Sequence, residues 1–483
     1  MVPWDDFVQR VRRHRPSELL QAIAIANIGI APGGMWDPTV SRHLYPWSLA
    51  VAARESLRVG NEHRDPGITG LDLVQITHKH HNLYDPLVDD NDALAFLIRI
   101  AYEQFPFQEP LFYGLSRSRL LFERASPEAR AKLRLVVGDF WERSLGLPLD
   151  TLFVSGFLFG IGATENHGLF DLDWYRQPNF APISVVMSEA DAEAAMVTLY
   201  GATRDELRDL CSTYKPGYER VAFNPLQARP FVLTRGRRFL APVPQFVLWR
   251  ASAPALYYIA LEKLPDADKR TFTDDVGTLF EDYVVRQARQ LPIESVDPEI
   301  EYSGGKTTDA ILVWPDFILV VEAKATRLSQ ESRMGGATLR GELDRTLGRA
   351  LEQIEQTAKL IKDREPAVAH IPSDRPIDGL VVTLEPYYVP ELAREFEGRY
   401  PSKLPVAVTS IGEFERFVAD AMAEPLTRTE METLVSDNRM AWQIRELIGR
   451  RNHELNRNPL MDDEYLELTG FFDIGRLANP TGG

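Results

Sequence analysis

The sequence predicts an α+β, multidomain protein: a mostly helical N-terminal region, then an α/β core with a mixed sheet flanked by helices. Three observations carry this. Residues 310–323 hold two apolar runs around a Pro315-Asp316 turn, and both strand faces are apolar, as in strands covered on each side. Helical apolar stripes lie before and after that hairpin: Val276, Phe280, Tyr283, Val284 and Ala288 on one side, and Leu343, Leu347, Leu351, Ile354, Ala358 and Ile361 on the other. Two further strands follow at Ile377–Leu384 and Pro405–Ile411, with a helix from about Gly412. The expected divisions are a helical region over 1–215, a hairpin and helical connector over 216–265, the α/β core over 266–420 and a helical C-terminal extension over 421–483 with a frayed end.

Pro315 suits the second position of a type I turn closed by Trp314 and Phe317. That turn pairs Val313 with Ile318 and, continued outward, Asp309 with Glu322. Residues directly opposite have Cβ atoms about 4.5–5.5 Å apart, so the two carboxylates repel unless a divalent cation lies between them. Lys324, two residues past Glu322, points to the same face, which also carries Ile311, Val313, Ile318 and Val320. Leu312, Trp314, Phe317, Leu319 and Val321 take the other face. Charges on such strands are costly unless paired or metal-bound. The plain structural alternative is a salt bridge from Lys324 to one acid, which leaves the other unexplained.

Upstream, Thr273 reads as an N-cap, Asp274 and Asp275 suit a first turn, and Glu281 lies at the edge of the apolar stripe. Downstream, residues 324–338 read as a flexible, basic loop containing Arg327, Arg333 and Gly335-Gly336. A helix from about Leu339 to Lys362 follows and carries Arg340, Gln353 and Gln356. Residues 323–364 hold 9 Lys/Arg and 6 Asp/Glu, a balance of +3 within a chain of net charge −16. This local positive balance suits a phosphate backbone, and it assigns nucleic-acid contact to Arg327, Arg333 and Arg340.

The arrangement resembles the PD-(D/E)XK, or restriction-endonuclease-like, nuclease superfamily. Asp309 matches the acid ending one strand, and Glu322-Ala323-Lys324 matches the acid-x-Lys of the next. Thr308 stands where the family usually has Pro. Gly277 and Phe280-Glu281 look like a helix that supplies an extra acid in many members, and Gln353 matches a glutamine that orients water or substrate. The resemblance covers roughly residues 270–420. It implies a restriction-endonuclease-like core, catalytic residues Asp309, Glu322, Lys324, Glu281 and Gln353, and metal ligation by Asp309, Glu322, Glu281 and the Ala323 carbonyl.

The expected activity is Mg²⁺-dependent phosphodiester hydrolysis, with Mn²⁺ as a substitute, most readily of DNA. A nuclease behind a large helical region suggests restriction or anti-phage defence by analogy of architecture. The alternatives are a non-catalytic nucleic-acid- or protein-binding module and a DNA repair or processing nuclease. A homo-oligomer or protein partner would act through residues 1–215.

Hydrophobic content of 44% and charged content of 26% fit a globular protein. One cysteine, Cys211, excludes an internal disulfide and a cysteine zinc site. The start of the chain lacks a signal-peptide pattern, and Leu19–Ala31 is too short to span a membrane, so a cytoplasmic protein is expected. Helical segments are expected near Ser17–Ile28, Asp92–Gln104, Pro127–Ser144 and Ala190–Tyr200, with a hairpin over 228–241 bearing Arg235, Arg237 and Arg238 at its turn. His78-Lys79-His80-His81, followed by Asp85, Asp89, Asp90 and Asp92, reads as a polar loop, since no spaced helical ligand pair is evident.

Overall fold

The structure is a computed structural model that describes residues 2–30, 42–64, 67–84, 93–108, 111–211, 217–387, 403–436 and 458–470. Its first part is helical, as expected. Pro16–Ile30, Pro46–Val59 and Gly70–His81 pack around Leu19, Leu20, Ile23, Leu49, Leu57 and Ile76. The segment expected over Pro127–Ser144 divides into Pro127–Lys132 and Phe140–Leu145, and Gly138 between them adopts a φ of 56°. His78–His81 lie at the end of a helix, not in a loop. Thr69 and Asp72 cap its start reciprocally, and the Asn82 N–H closes its end on the His78 carbonyl. Asp85, Asp89, Asp90 and Asp92 lie outside the described residues, as does the C-terminal end.

A small sheet interrupts the helices. Strands β1 (Leu169–Asp171), β2 (Gly201–Ala202), β3 (Phe231–Arg235) and β4 (Arg238–Leu240) align in the order β1-β4-β3-β2. The β3–β4 hairpin stands where the sequence places it. β1 and β2 are too short for an alternation pattern to reveal. At the hairpin turn Arg237 pairs with Asp173, Glu189 and Glu193, and Arg238 pairs with Asp171.

The larger sheet follows. β5 (Ser295–Pro298), the short hairpin β6 (Glu301–Tyr302) and β7 (Gly305–Lys306), β8 (Ala310–Val313), β9 (Ile318–Lys324), β10 (Ile377–Thr383) and β11 (Val406–Ser410) appear in chain order. Five of them form a mixed sheet, β11-β10-β9-β8-β5. β8 runs antiparallel to both of its neighbours, β5 and β9, and β9, β10 and β11 are parallel. The return from β9 to β10 uses the long helix, as a parallel connection requires. The hairpin register is the expected one, with Val313 opposite Ile318 and Ala310 opposite Val321. The Trp314 N–H donates to the Phe317 carbonyl at 2.9 Å, and their rings stack with centroids 4.5 Å apart.

The two faces of the hairpin enter different cores. Ile311, Val313, Ile318 and Val320 pack with Leu347, Leu351, Ile354 and Ala358 of the long helix. Leu312, Trp314, Phe317, Leu319 and Val321 join Val276, Phe280, Tyr283 and Val284 of the preceding helix in a cluster that also includes Leu115, Phe157 and Leu468. Helices therefore cover β8 and β9 on both sides, which is why both faces are apolar.

Two local expectations change. The helix bearing Glu281 runs over Asp266–Ala288, so Thr273 is interior and not its N-cap. The Thr273 hydroxyl instead donates back to the Lys269 carbonyl, and the buried Asp275 carboxylate accepts the backbone N–H groups of Arg134, Leu135 and Val136. The long downstream helix comprises Leu339–Leu343, a π-helical turn at Asp344–Gly348 and Arg349–Lys362. It lies close to the sheet at Gly379, where a Cβ would come within 2.6 Å of Ile354 Cγ2.

Candidate active site

The carboxylates meet at one end of the sheet. β8 begins at Ala310, so Asp309 stands one step beyond the ladder, across from Glu322. On its other side its backbone keeps the register with β5, the Asp309 carbonyl accepting the Glu299 N–H at 3.0 Å. Its side chain accepts the Ala323 backbone N–H at 2.7 Å. Thr308, before the acid, uses its backbone N–H, which donates to Thr357 Oγ1 on the long helix at 2.9 Å, a bond that proline cannot make.

Glu322 and Asp309 are 1% and 7% exposed. Lys324 Nζ lies 2.5 Å from Glu322 Oε1 and donates to Gln353 Oε1 at 2.9 Å. The structure thus contains the salt bridge of the plain alternative, and Asp309 has a backbone partner. Glu322 Oε2, however, is buried without a hydrogen-bond partner. Burial holds the Glu322 carboxyl up at about 7 against an ordinary 4.5, with Lys324 opposing the shift and Glu281 adding to it. The Asp309 carboxyl is pushed well above its ordinary range by burial first, then by the charges of Glu322 and Glu281. Burial, then Glu299, raises Glu281, while Lys324, Lys132 and Lys306 oppose. Three acids therefore share one field at the end of β8 and β9.

Among the described residues no three His, Cys, Asp or Glu side chains converge closely enough to hold a metal ion as a group, and Glu281 is not brought into a shared ligand set with Asp309 and Glu322. What remains is a two-carboxylate donor set with one unpartnered buried oxygen, beside the Ala323 backbone. Hard oxygen donors in that number fit Mg²⁺, which keeps several waters.

The expected basic loop after Lys324 is largely closed. Ser329 caps a short helix at Gln330–Arg333. Arg327 is buried. It pairs with Glu385, donates to the Pro254 carbonyl and lies over Tyr258, 4.0 Å from the ring centroid. Burial pulls its pKa down to about 9. Arg333 donates to Glu385, Tyr258 and the Leu328 carbonyl. Both guanidinium groups are paired with Glu385, where the sequence reading expects them to meet phosphate. Arg340 is exposed.

Sequence reasoning missed Glu385, Thr357 and Glu299. Only Glu385 offered a signal, as an acid at the end of a buried strand. In the helical region His80 is buried, its Nδ1 2.8 Å from Ser48 Oγ and its Nε2 3.4 Å from Glu103. Burial, aided by Arg220 and Arg54, holds its pKa well below the ordinary value.

No family model matches the chain, and no curated protein is significantly similar to it. Among solved structures, the small subunit of a heterodimeric restriction endonuclease is 13% identical, over 41% of this chain and 97% of that one, with a TM-score of 0.23. A likeness of that size fixes neither fold nor activity. No described helix is long and apolar enough to cross a membrane. On its own architecture the chain is a largely helical α+β protein with a mixed five-stranded sheet.

Proposed function

We propose that the protein is a metal-dependent nuclease with a restriction-endonuclease-like core, acting on DNA. One observation carries the reading: two buried carboxylates stand at one sheet end, across the hairpin, with raised pKa values, and the lysine two residues on is held by both an acid and a glutamine. Groups left in mutual repulsion mark a site more often than a scaffold.

Asp309 and Glu322 would hold Mg²⁺, with the Ala323 carbonyl as a further donor. Bound there, the cation would supply an acidified water and neutralise charge on the phosphate. Gln353 Oε1 holds the Lys324 ammonium in place, so its charge would be preorganised for the negative charge on the phosphoryl oxygens. Glu281, half-buried in the same field, would position the attacking water. Restriction or defence against phage is the setting this architecture suggests by analogy.

A second reading has its own support. The Lys324–Glu322 pair and the Ala323–Asp309 bond partly satisfy the cluster without metal, as in a non-catalytic binding module. Incubation with plasmid, linear and single-stranded DNA and with RNA, in Mg²⁺, Mn²⁺ or EDTA, separates the two. Metal-dependent cleavage supports the nuclease. Binding without cleavage of any substrate supports the module.

A further inference from the structure

The arginines nearest to Lys324 in sequence, Arg327 and Arg333, are turned onto Glu385, so positive charge beside the acids has to come from elsewhere. Gln353 marks where the long helix meets the site, through its 2.9 Å bond from Lys324. Residues i, i+4 and i+7 share one helical face, so Arg349, Gln353 and Gln356 form one ridge, and all three are exposed. Arg345 stands exposed on the π-helical turn just before it. Among the described residues neither Arg345 nor Arg349 makes an ion pair, whereas Arg327, Arg333 and Arg237 are all committed to acids. The opposite face of the helix is locked into the core by Leu347, Leu351, Ile354 and Ala358, so the ridge is rigid.

We propose that the ridge Arg345, Arg349, Gln353 and Gln356 is the track on which the nucleic-acid backbone lies as it reaches Lys324, an inference that rests on the nuclease reading. Arg345 to Gln356 spans roughly 16 Å at about 1.5 Å per residue, against about 3.4 Å of axial rise per nucleotide in one strand. The ridge is long enough for several phosphates. Guanidinium groups bind phosphate bidentately and are weakly hydrated, so unpaired exposed arginines suit this role. The contact reads no sequence; it sets register on the backbone.

The test is fluorescence anisotropy of a labelled DNA duplex over a salt series, with Ca²⁺ in place of Mg²⁺ to withhold cleavage. Arg345→Ala and Arg349→Ala are each expected to weaken binding about three- to tenfold and to lower the salt slope by about one. Arg349→Lys, which keeps a point charge, should restore most of the slope. Arg235→Ala, an exposed arginine at the β3–β4 turn, should change neither. If the wild-type protein binds and cleaves DNA while both alanine variants keep its affinity and slope, the track is wrong and the nuclease reading stands. If the wild type neither binds nor cleaves any nucleic acid, both fall together.

Discussion

The Asp309 carboxylate accepts the Ala323 N–H at 2.7 Å while standing across the hairpin from Glu322. A peptide N–H offsets part of the repulsion between the acids and fixes where Asp309 points. Asp309→Asn keeps that acceptor and removes one charge. The variant should fold, gain about 1–2 kcal/mol of stability above neutral pH and lose cleavage. Urea unfolding monitored by circular dichroism checks the stability. A loss of stability at pH 8 would show that the acid is held for structure.

Glu322 gives a pH dependence with a definite sign. Its carboxyl lies at about 7 in the fold and 4.5 ordinarily, so between those values the folded protein holds a proton that the unfolded chain has released. Its contribution is fully present below about 4.5 and is lost as pH rises through about 7, an effect of up to about 3 kcal/mol. In EDTA, stability should fall across that window in the wild type and stay flatter in Glu322→Gln. Equal slopes in the two proteins would contradict the raised carboxyl.

Divalent cation should reverse that loss. A cation binding the charged carboxylates stabilises by about 1.4 kcal/mol at ten times its dissociation constant and about 2.7 at a hundred times. Differential scanning fluorimetry at pH 8 should show a rise in Tm with Mg²⁺ or Mn²⁺ in the wild type and none in Asp309→Asn or Glu322→Gln. An undiminished rise in both variants would move the cation elsewhere.

Asp275 holds the helix that carries Glu281. Its carboxylate is 2% exposed and takes three backbone N–H groups from residues 134–136. Asp275→Ala would leave those donors buried, and the expected loss is about 3 kcal/mol or more. Asp275→Asn, which keeps one acceptor oxygen, should lose less. Equal denaturation midpoints for the two variants would count against this account.

Gly379 lets the long helix lie close enough for Gln353 to reach Lys324. A Cβ there would meet Ile354 Cγ2 at 2.6 Å and Val406 Cγ2 at 2.8 Å. Gly379→Ala should destabilise by about 1–3 kcal/mol through overpacking and lower activity further by shifting Gln353. Wild-type stability in this variant would show that the helix has room to move.

The hairpin was legible in the sequence because its determinants are local. Pro315-Asp316 sets the turn, the turn sets the register, and the register sets which residues share a face. The apolar stripes were legible for the same reason, and they place Gln353 and Glu281 on the correct helices. What escaped depends on distant partners. Arg327 looks like a loop cation until Glu385 and Tyr258 arrive from other elements. Thr273 looks like a cap until the chain beyond Pro265 begins its helix at Asp266, and Asp275 looks like a first-turn acid until residues 134–136 claim it. Thr308 reads as a mere replacement for proline until Thr357 receives its N–H.

Single-turnover cleavage of an end-labelled duplex by wild-type protein and by Lys324→Ala, in Mn²⁺ and in EDTA, tests the central claim most directly. Mn²⁺ binding by both proteins is followed in parallel by electron paramagnetic resonance. The expected result is cleavage by the wild type only with metal, and a rate about 10²–10³-fold lower in Lys324→Ala with Mn²⁺ still bound. Cleavage that persists in EDTA, or a Lys324→Ala rate equal to the wild type, would contradict the assignment of Asp309, Glu322 and Lys324 as a metal-dependent phosphodiesterase site.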